Sequence, residues 1–384
     1  MLKQTFLNAL FTGVAQAISL IVFVVLAGVL ETEQFGILSV QLSAAALVSI
    51  ISTFQFERVY VRVRTRALKQ YIAFHIRCLF LISAVLLVVS LPFAIGPSSV
   101  VLAVGMGLSQ IALYAAARLG FFRRIWLMKL IQSIALLFVS ALVYLTGQQG
   151  LYWLAFLCSY ACAGLMVLDE PTRVAIFRAD LRNDMRRFKY SLRIAAMALG
   201  SLLTGAFTRE FPVLLAGAMG QPATAGTLGL VMRVVGAPLG LLARSASAVV
   251  ANYVASDRFD MRAMGKLLVI PAIGTIYITL LFVASFYLPA FVKFDQFSVF
   301  LIALAPFFIV RAYVGMLGSA LVFYRLQRVD LLCNTGLACF ASVAGVVTYS
   351  GGLDFNGLLW IISLISIGFG FYLTQLFAKR LKEF

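Results

Sequence analysis

Long apolar stretches recur along the whole chain and are separated by short polar stretches. The apolar stretches are about 20 residues long and do not alternate, so they predict membrane-spanning helices rather than barrel strands. Twelve spans are predicted, at 5–30, 35–56, 71–95, 100–118, 126–146, 151–168, 191–217, 225–251, 267–291, 297–322, 331–350 and 356–377. The pattern therefore indicates an all-α, polytopic membrane protein.

Positive charge lies on one side of this twelve-span layout. Most of the 31 Lys and Arg residues lie at the two termini and in the connections that follow spans 2, 4, 6, 8 and 10. The other connections contain one lysine, Lys293, and several acids. Because cytoplasmic loops carry the excess of Lys and Arg, the pattern predicts that both termini are cytoplasmic.

The composition agrees with a membrane protein and excludes several functions. Apolar residues make up 62% and charged residues 12% of the 384 positions. A soluble domain has about 45–50% apolar and about 25% charged residues. The net charge of +17 lies in short loops rather than in a basic module, so nucleic-acid binding is not expected. No carboxylate pair or metal-ligand spacing accompanies the single histidine, His75, and we therefore expect no enzyme activity, metal or cofactor.

An internal repeat divides the chain near its middle. The segment LAGVLETEQFGILSV at Leu26–Val40 recurs as LAGAMGQPATAGTLGL at Leu215–Leu230, with an offset of 189 to 190 residues. Such repeats in parallel orientation are found in transporters built from two similar halves. We expect an N-terminal lobe of six spans, a hydrophilic cytoplasmic linker that could form a short surface helix, and a C-terminal lobe of six spans, at 1–168, 169–190 and 191–384.

Several arginines lie where a membrane helix should be apolar. Arg209, Arg233 and Arg311 lie well inside predicted spans, and Arg244 lies nearer the cytoplasmic end. A charge at the centre of a span costs about 2.5–3.5 kcal/mol on insertion scales, so a functional role is the first hypothesis. The planar guanidinium group suits phosphate. Glu210 is the one carboxylate inside a predicted span, and it either lines the same site or neutralises Arg209.

One face of predicted span 8 carries two of these arginines. Arg233 and Arg244 are eleven residues apart, which places them within about 20° of each other on the helix. Gly236 and Gly240 lie near this face, and Pro238 lies between the two arginines. Such a face lines a cavity or allows another helix to approach closely, and the sequence leaves both alternatives open.

Polar stripes run along the first spans of the two halves. In span 1 the stripe consists of Asn8, Thr12, Gln16 and Ser19. In span 7 it consists of Ser201, Thr204 and Thr208. These stripes favour a water-filled cavity between the halves, although Ser and Thr also serve as packing contacts between helices. We predict that Asn8, Thr12 and Gln16 contribute to substrate binding together with the four arginines and Glu210.

Two segments resemble a known family. They are AQAISLIVFVVLAGVLETEQFGILSV at Ala15–Val40, with an E-x-F-G turn, and AGTLGLVMRVVGAPLGLLARSASAVVANYVAS at Ala225–Ser256. Both are similar to the O-antigen and capsule repeat-unit flippases of the MOP transporter superfamily. The resemblance implies a MATE-like fold in the bacterial inner membrane, alternating access, and a lipid-linked oligosaccharide on an undecaprenyl pyrophosphate carrier. It also makes a glycan polymerase and glycosyltransferases candidate partners.

Three other functions fit parts of the pattern. A MATE-like exporter of drugs or cations would depend on Glu210 rather than on the arginines. A lipid II flippase would be expected to have two additional spans. A membrane scaffold of a glycan-assembly complex would not need the arginines inside the spans, and its basic loops would bind partner proteins.

Overall fold

The computed structural model describes residues 2–61, 63, 65–92, 96–119, 121–148, 151–167, 176, 181–255, 269–294, 296–323 and 326–383. Within these ranges it contains thirteen α-helices, one 3-10 helix and no strand. The α-helices are α1 (Leu2–Val29), α2 (Thr32–Thr53), α3 (Thr65–Ser90), α4 (Gly96–Arg118), α5 (Phe122–Thr146), α6 (Tyr152–Val167), α7 (Leu181–Ala218), α8 (Pro222–Ala255), α9 (Val269–Ala284), α10 (Pro289–Val292), α11 (Phe297–Phe323), α12 (Gln327–Tyr349) and α13 (Phe355–Glu383). The 3-10 helix, η1, is Phe56–Val61.

Each of the twelve predicted spans coincides with a helix, so the all-α, polytopic class is confirmed. Eight helices in the described residues are long and apolar enough to cross a membrane, and α1, α6 and α9 contain shorter apolar segments. Helix α7 carries Arg209 and Glu210 in its apolar part and falls outside both groups. Predicted span 9 is shorter than expected, because α9 ends at Ala284 and the short helix α10 follows it.

The chain divides into two compact units. The first unit comprises Met1–Phe23 and Leu38–Ala206, and the second unit comprises Val24–Ile37 and Phe207–Phe384. The short connection between α1 and α2 thus belongs to the second unit, and the division falls inside α7 rather than in the hydrophilic linker. The lobe boundaries expected from the sequence, at 168 and 191, stay a prediction.

The core of the first unit is formed by α3, α4, α5 and α6. The chain turns sharply after α2, where Phe54 and Gln55 have positive φ angles of 48° and 53°. This turn directs η1 against α4 and α3. The rings of Phe56 and Tyr60 in η1 pack against His75 of α3, with centroid distances of 5.1 and 5.2 Å. The connection between the second and third spans is therefore a buried structural element rather than an exposed loop.

The second unit is built around α11, which packs against α8, α9 and α13. Proline residues interrupt the backbone ladder of two of these helices, because proline has no N–H to bind the carbonyl four residues earlier. The Tyr277 hydroxyl donates to the carbonyl of Val234, four residues before Pro238, at 2.7 Å. Ser363 of α13 donates to the carbonyl of Ala303, three residues before Pro306. These bonds stabilise the helices that carry Arg233 and Arg311.

Candidate substrate site

Arg311 is held by a chain of polar side chains in the second unit. It lies on α11, partly buried, with its guanidinium carbon 5.7 Å from the centroid of the Phe307 ring. Its Nη1 donates to Oδ1 of Asn334 on α12. Asn334 in turn donates from Nδ2 to Oδ1 of Asp330 at 3.1 Å. The Asn334 amide thus connects the Arg311 guanidinium group to Asp330, which lies one turn before Asn334 on α12. These bonds fix the direction of the guanidinium group.

Asp330 and Asn334 were not identified from the sequence as part of the site. They are four residues apart and therefore share a face in the first two turns of α12. Asp330 precedes the predicted start of span 11 at 331 and therefore lies in a predicted connection. The i, i+4 spacing of an acid and an amide is the signal that would have indicated them. Electrostatically, Asp330 and Arg209 both act on Arg311, with opposite signs.

Arg209 and Glu210 form an ion pair, which was one of the two alternatives predicted for Glu210. Nε of Arg209 donates to Oε1 of Glu210 at 2.7 Å. The Glu210 side chain is 11% exposed, whereas the Arg209 side chain is 47% exposed. Arg209 makes no other hydrogen bond to the residues that the structure describes. The pair is therefore asymmetric, because the acid is buried and the two terminal nitrogens of the arginine stay available to a ligand.

The face of α8 that carries Arg233 contains two glycines, Gly236 and Gly240, and the space around them differs. A Cβ on Gly236 would meet the ring of Phe308 at 3.0 Å, so α11 approaches α8 closely at this level. A Cβ on Gly240 would meet no atom of the described residues within 4 Å, so this level of the face is less tightly packed than the level of Gly236. Arg233 is half-buried. The side chain of Arg244 lies outside the described residues, and its predicted role stays a prediction.

Part of the polar stripe of α1 is used for packing. Ser19 lies 2.9 Å from the hydroxyl of Ser133 on α5, and Ser133 also donates to the carbonyl of Ala15 at 2.6 Å. Gln16 is half-buried, and its Oε1 is buried without a hydrogen-bond partner in the described part of the chain. The side chains of Asn8 and Thr12 lie outside the described residues.

The polar stripe of α7 mostly serves its own helix. Thr204 donates to the carbonyl of Gly200 at 2.8 Å, and Thr208 is almost fully buried. Bonds of this kind satisfy a hydroxyl in an apolar setting without a second helix. Next to this stripe, Arg209 is exposed and is therefore open to a ligand.

A second buried carboxylate lies in the first unit and was not expected. Glu57 of η1 is fully buried and accepts a hydrogen bond from Nε2 of Gln110 on α4 at 2.6 Å. Burial, and secondly the Glu57 charge, raise the pKa of Tyr60 well above its usual range. Arg118 donates from Nε to the carbonyl of Tyr60 at 2.9 Å, which holds η1 in place. In the described residues no group of three His, Cys, Asp or Glu could hold a metal ion.

The fold is similar to that of solved multidrug transporters. An inward-facing multidrug resistance MATE family transporter of the MOP superfamily has a TM-score of 0.64 at 13% identity, covering 96% of each chain. The eukaryotic MATE transporter AtDTX14 has a TM-score of 0.56 at 14% identity, covering 99% of this chain and 95% of that one. The outward-facing conformation of a MATE family transporter has a TM-score of 0.51 at 13% identity, covering 99% of this chain and 94% of that one. No curated protein matches the chain by sequence.

These similarities and the helical layout define the class: an all-α, multi-pass membrane protein with a MATE-like fold. A family model described as "Polysaccharide biosynthesis protein" matches residues 1–251. The chain therefore belongs to the polysaccharide biosynthesis protein family, and the resemblance stated from the sequence is confirmed at the level of this family.

Proposed function

We propose that this transporter moves a polyprenyl-pyrophosphate-linked oligosaccharide across the bacterial inner membrane, with both termini in the cytoplasm. The observation that carries the proposal is the exposed guanidinium group of Arg209 in a membrane helix, with Glu210 buried behind it. Its free Nη donors suit the paired oxygens of a pyrophosphate, because a guanidinium fork binds phosphate in a bidentate manner. Membership of a polysaccharide biosynthesis family supports a glycan as the cargo.

The other arginines extend this cationic site. Arg311 lies close enough to Arg209 for their charges to interact. Arg233, half-buried on α8, belongs to the same unit, and Arg244 joins them on the basis of its position in the sequence. Glu210 positions Arg209 and does not itself face the anion. Asn8, Thr12 and Gln16 of α1 are proposed to contact the sugars, and the uncommitted Oε1 of Gln16 is suited to a sugar hydroxyl.

Alanine substitution of the arginines tests this function in a strain that lacks the endogenous gene. Arg209→Ala, Arg233→Ala and Arg311→Ala should each abolish surface polysaccharide while the amount of protein in the membrane holds. Arg328→Ala is the matched control, because Arg328 is exposed at the start of α12 and should leave the polysaccharide normal. Normal polysaccharide in all three site variants would refute the anion site and favour a scaffold.

A second experiment separates glycan transport from drug export. Purified protein in liposomes that contain a polyprenyl-pyrophosphate-linked oligosaccharide should make the glycan accessible to a lectin on the opposite side, and Arg311→Ala should lose this activity. Drug export would instead appear as drug resistance that Glu210→Gln removes and Arg311→Ala retains. A glycan polymerase and glycosyltransferases remain proposed partners, and co-purification with this transporter would test them.

A further inference from the structure

The first turns of α7 present a row of cations that the proposed transport site does not use. Four basic side chains of this segment are exposed: Arg182, Arg186, Lys189 and Arg193. At 100° per residue they lie within an arc of about 60° on the helix. No hydrogen bond or ion pair joins them to the residues that the structure describes. We call these four side chains the basic face of α7.

The opposite face of the same turns is fixed to the first unit. Asp184 accepts two hydrogen bonds from Nη2 of Arg77, at 2.7 and 2.9 Å, and a third from Arg187 at 2.7 Å. Ser191 lies 3.2 Å from Nε2 of His75. Phe188 packs edge-to-face on Phe56, with the ring centroids 5.7 Å apart.

This arrangement separates the charges of the segment. Asp184 is the one acidic residue in the described segment 181–193, and its carboxylate forms ion pairs with Arg77 and Arg187. The outward side therefore carries four positive charges with no described acid among them. A helix face of this kind attracts an anionic surface rather than a single counter-ion.

The length of α7 places the basic face near the membrane surface. The helix has 38 residues and is about 57 Å long, nearly twice the roughly 30 Å of hydrocarbon in a bilayer. Predicted span 7 begins at 191, and on this prediction the first ten residues of α7 extend beyond the apolar layer. Arg182, Arg186 and Lys189 lie in this extension, and Arg193 lies at its border.

Two exposed side chains flank the basic face and suit the same environment. Met185 is 54% exposed and Tyr190 is 41% exposed. They lie on either side of the row of cations, at about 60–80° from its centre. Tyrosine is enriched where membrane helices meet the headgroups, because its ring is apolar and its hydroxyl is polar. Apolar groups beside cations are the usual composition of a lipid-facing interfacial surface.

We propose that the basic face of α7 binds the phosphate headgroups of anionic phospholipids. Clusters of four or more Lys and Arg next to a membrane helix bind anionic lipid headgroups in this way. Each cation near an anionic surface strengthens binding about fivefold. The site is separate from the arginines of the second unit, and its test needs no glycan substrate.

The experiment titrates full-length protein in detergent with phosphatidylglycerol or phosphatidylcholine and counts bound lipids by native mass spectrometry. The double variant Arg186→Gln with Lys189→Gln should bind phosphatidylglycerol about tenfold or more weakly. The control Arg328→Gln with Lys379→Gln removes two other exposed cations and should bind nearly as the unchanged protein does. Binding of phosphatidylcholine should be the same in all three proteins, and the thermal unfolding of both variants should be unchanged.

Three results would overturn the proposal. Equal weakening in both double variants would mean that net charge, and not this face, attracts the lipid. Equal affinity for the two phospholipids would exclude headgroup charge as the determinant. Displacement of phosphatidylglycerol by inorganic pyrophosphate at the same phosphate concentration would assign the face to a soluble anion. The second of these results is also the one expected of a face that binds a partner protein.

Discussion

Gly36 and Gly226, which occupy matching positions in the internal repeat, contact each other within the second unit. A Cβ on Gly226 would lie 3.2 Å from the Gly36 nitrogen and 3.3 Å from its Cα. A Cβ on Gly36 would lie 1.8 Å from the carbonyl oxygen of Pro222. The first turns of α2 and α8 therefore meet backbone against backbone, which requires residues without a side chain.

Alanine at Gly36 should destabilise the protein, because its methyl group collides with backbone that cannot move independently. Overpacking of this kind costs about 1–3 kcal/mol or more. The measurement is the apparent Tm of purified protein in detergent. Gly226→Ala should lower the Tm less, since its nearest contacts lie at 3.0 to 3.3 Å. Gly368→Ala is the control, because no atom lies within 4 Å of its added Cβ. An unchanged Tm for Gly36→Ala would contradict the contact.

Tyr277→Phe should destabilise the second unit by about 1–3 kcal/mol, because it leaves the buried carbonyl of Val234 without a donor. This carbonyl needs an external donor only because Pro238 has no N–H. The cost of Tyr277→Phe should therefore shrink in a Pro238→Ala background, where the helix supplies its own bond. A double-mutant cycle on unfolding measures this coupling, and additive effects would contradict it. Tyr287→Phe, at a 78% exposed position, is the control.

The number and order of the long helices could be predicted from the sequence because a bilayer imposes long apolar stretches. The repeat places Gly36 and Gly226 at matching positions, 190 residues apart. The contact between them could not be predicted, because it depends on how two helix starts pack. The same reason explains the shortened α9, where a continuous apolar stretch concealed a break after Ala284.

The arginines of the candidate site were visible in the sequence because charge in a span is rare and costly. The residues that contact these arginines could not be predicted from the sequence. Ser19 belongs to the polar stripe of α1, yet it packs against Ser133, which is 114 residues further along the chain. Asp330 and Asn334 lie on either side of the predicted start of span 11. In the structure Asn334 binds Arg311, and Asp330 binds Asn334. Hydropathy detects polar residues, but only the tertiary structure separates packing contacts from positions open to a ligand.

Asn334→Leu should impair transport by removing the acceptor that holds Arg311. A hydrogen bond to a charged group contributes about 1.5–3 kcal/mol, so we expect transport to fall by roughly ten- to a hundredfold. The measurement is glycan translocation in liposomes at equal protein content. Ser342→Ala on the same helix is the control, because Ser342 only donates to the carbonyl of Ala338. Full activity of Asn334→Leu would show that the orientation of Arg311 does not matter.

Asp184→Asn should lower the stability of the first unit, because the carboxylate binds both Arg77 and Arg187. The side chains of Arg77 and Asp184 are only 20% and 16% exposed, so the cost should lie between those of exposed and buried ion pairs, at about 1–3 kcal/mol. Asp354→Asn makes the same chemical change where it should have no effect. Asp354 is exposed and accepts a hydrogen bond from the N–H of Gly357 at 2.8 Å, and asparagine caps a helix equally well. Comparison of the two apparent Tm values decides the point: equal values would mean that Asp184 does not hold the first turns of α7 against α3.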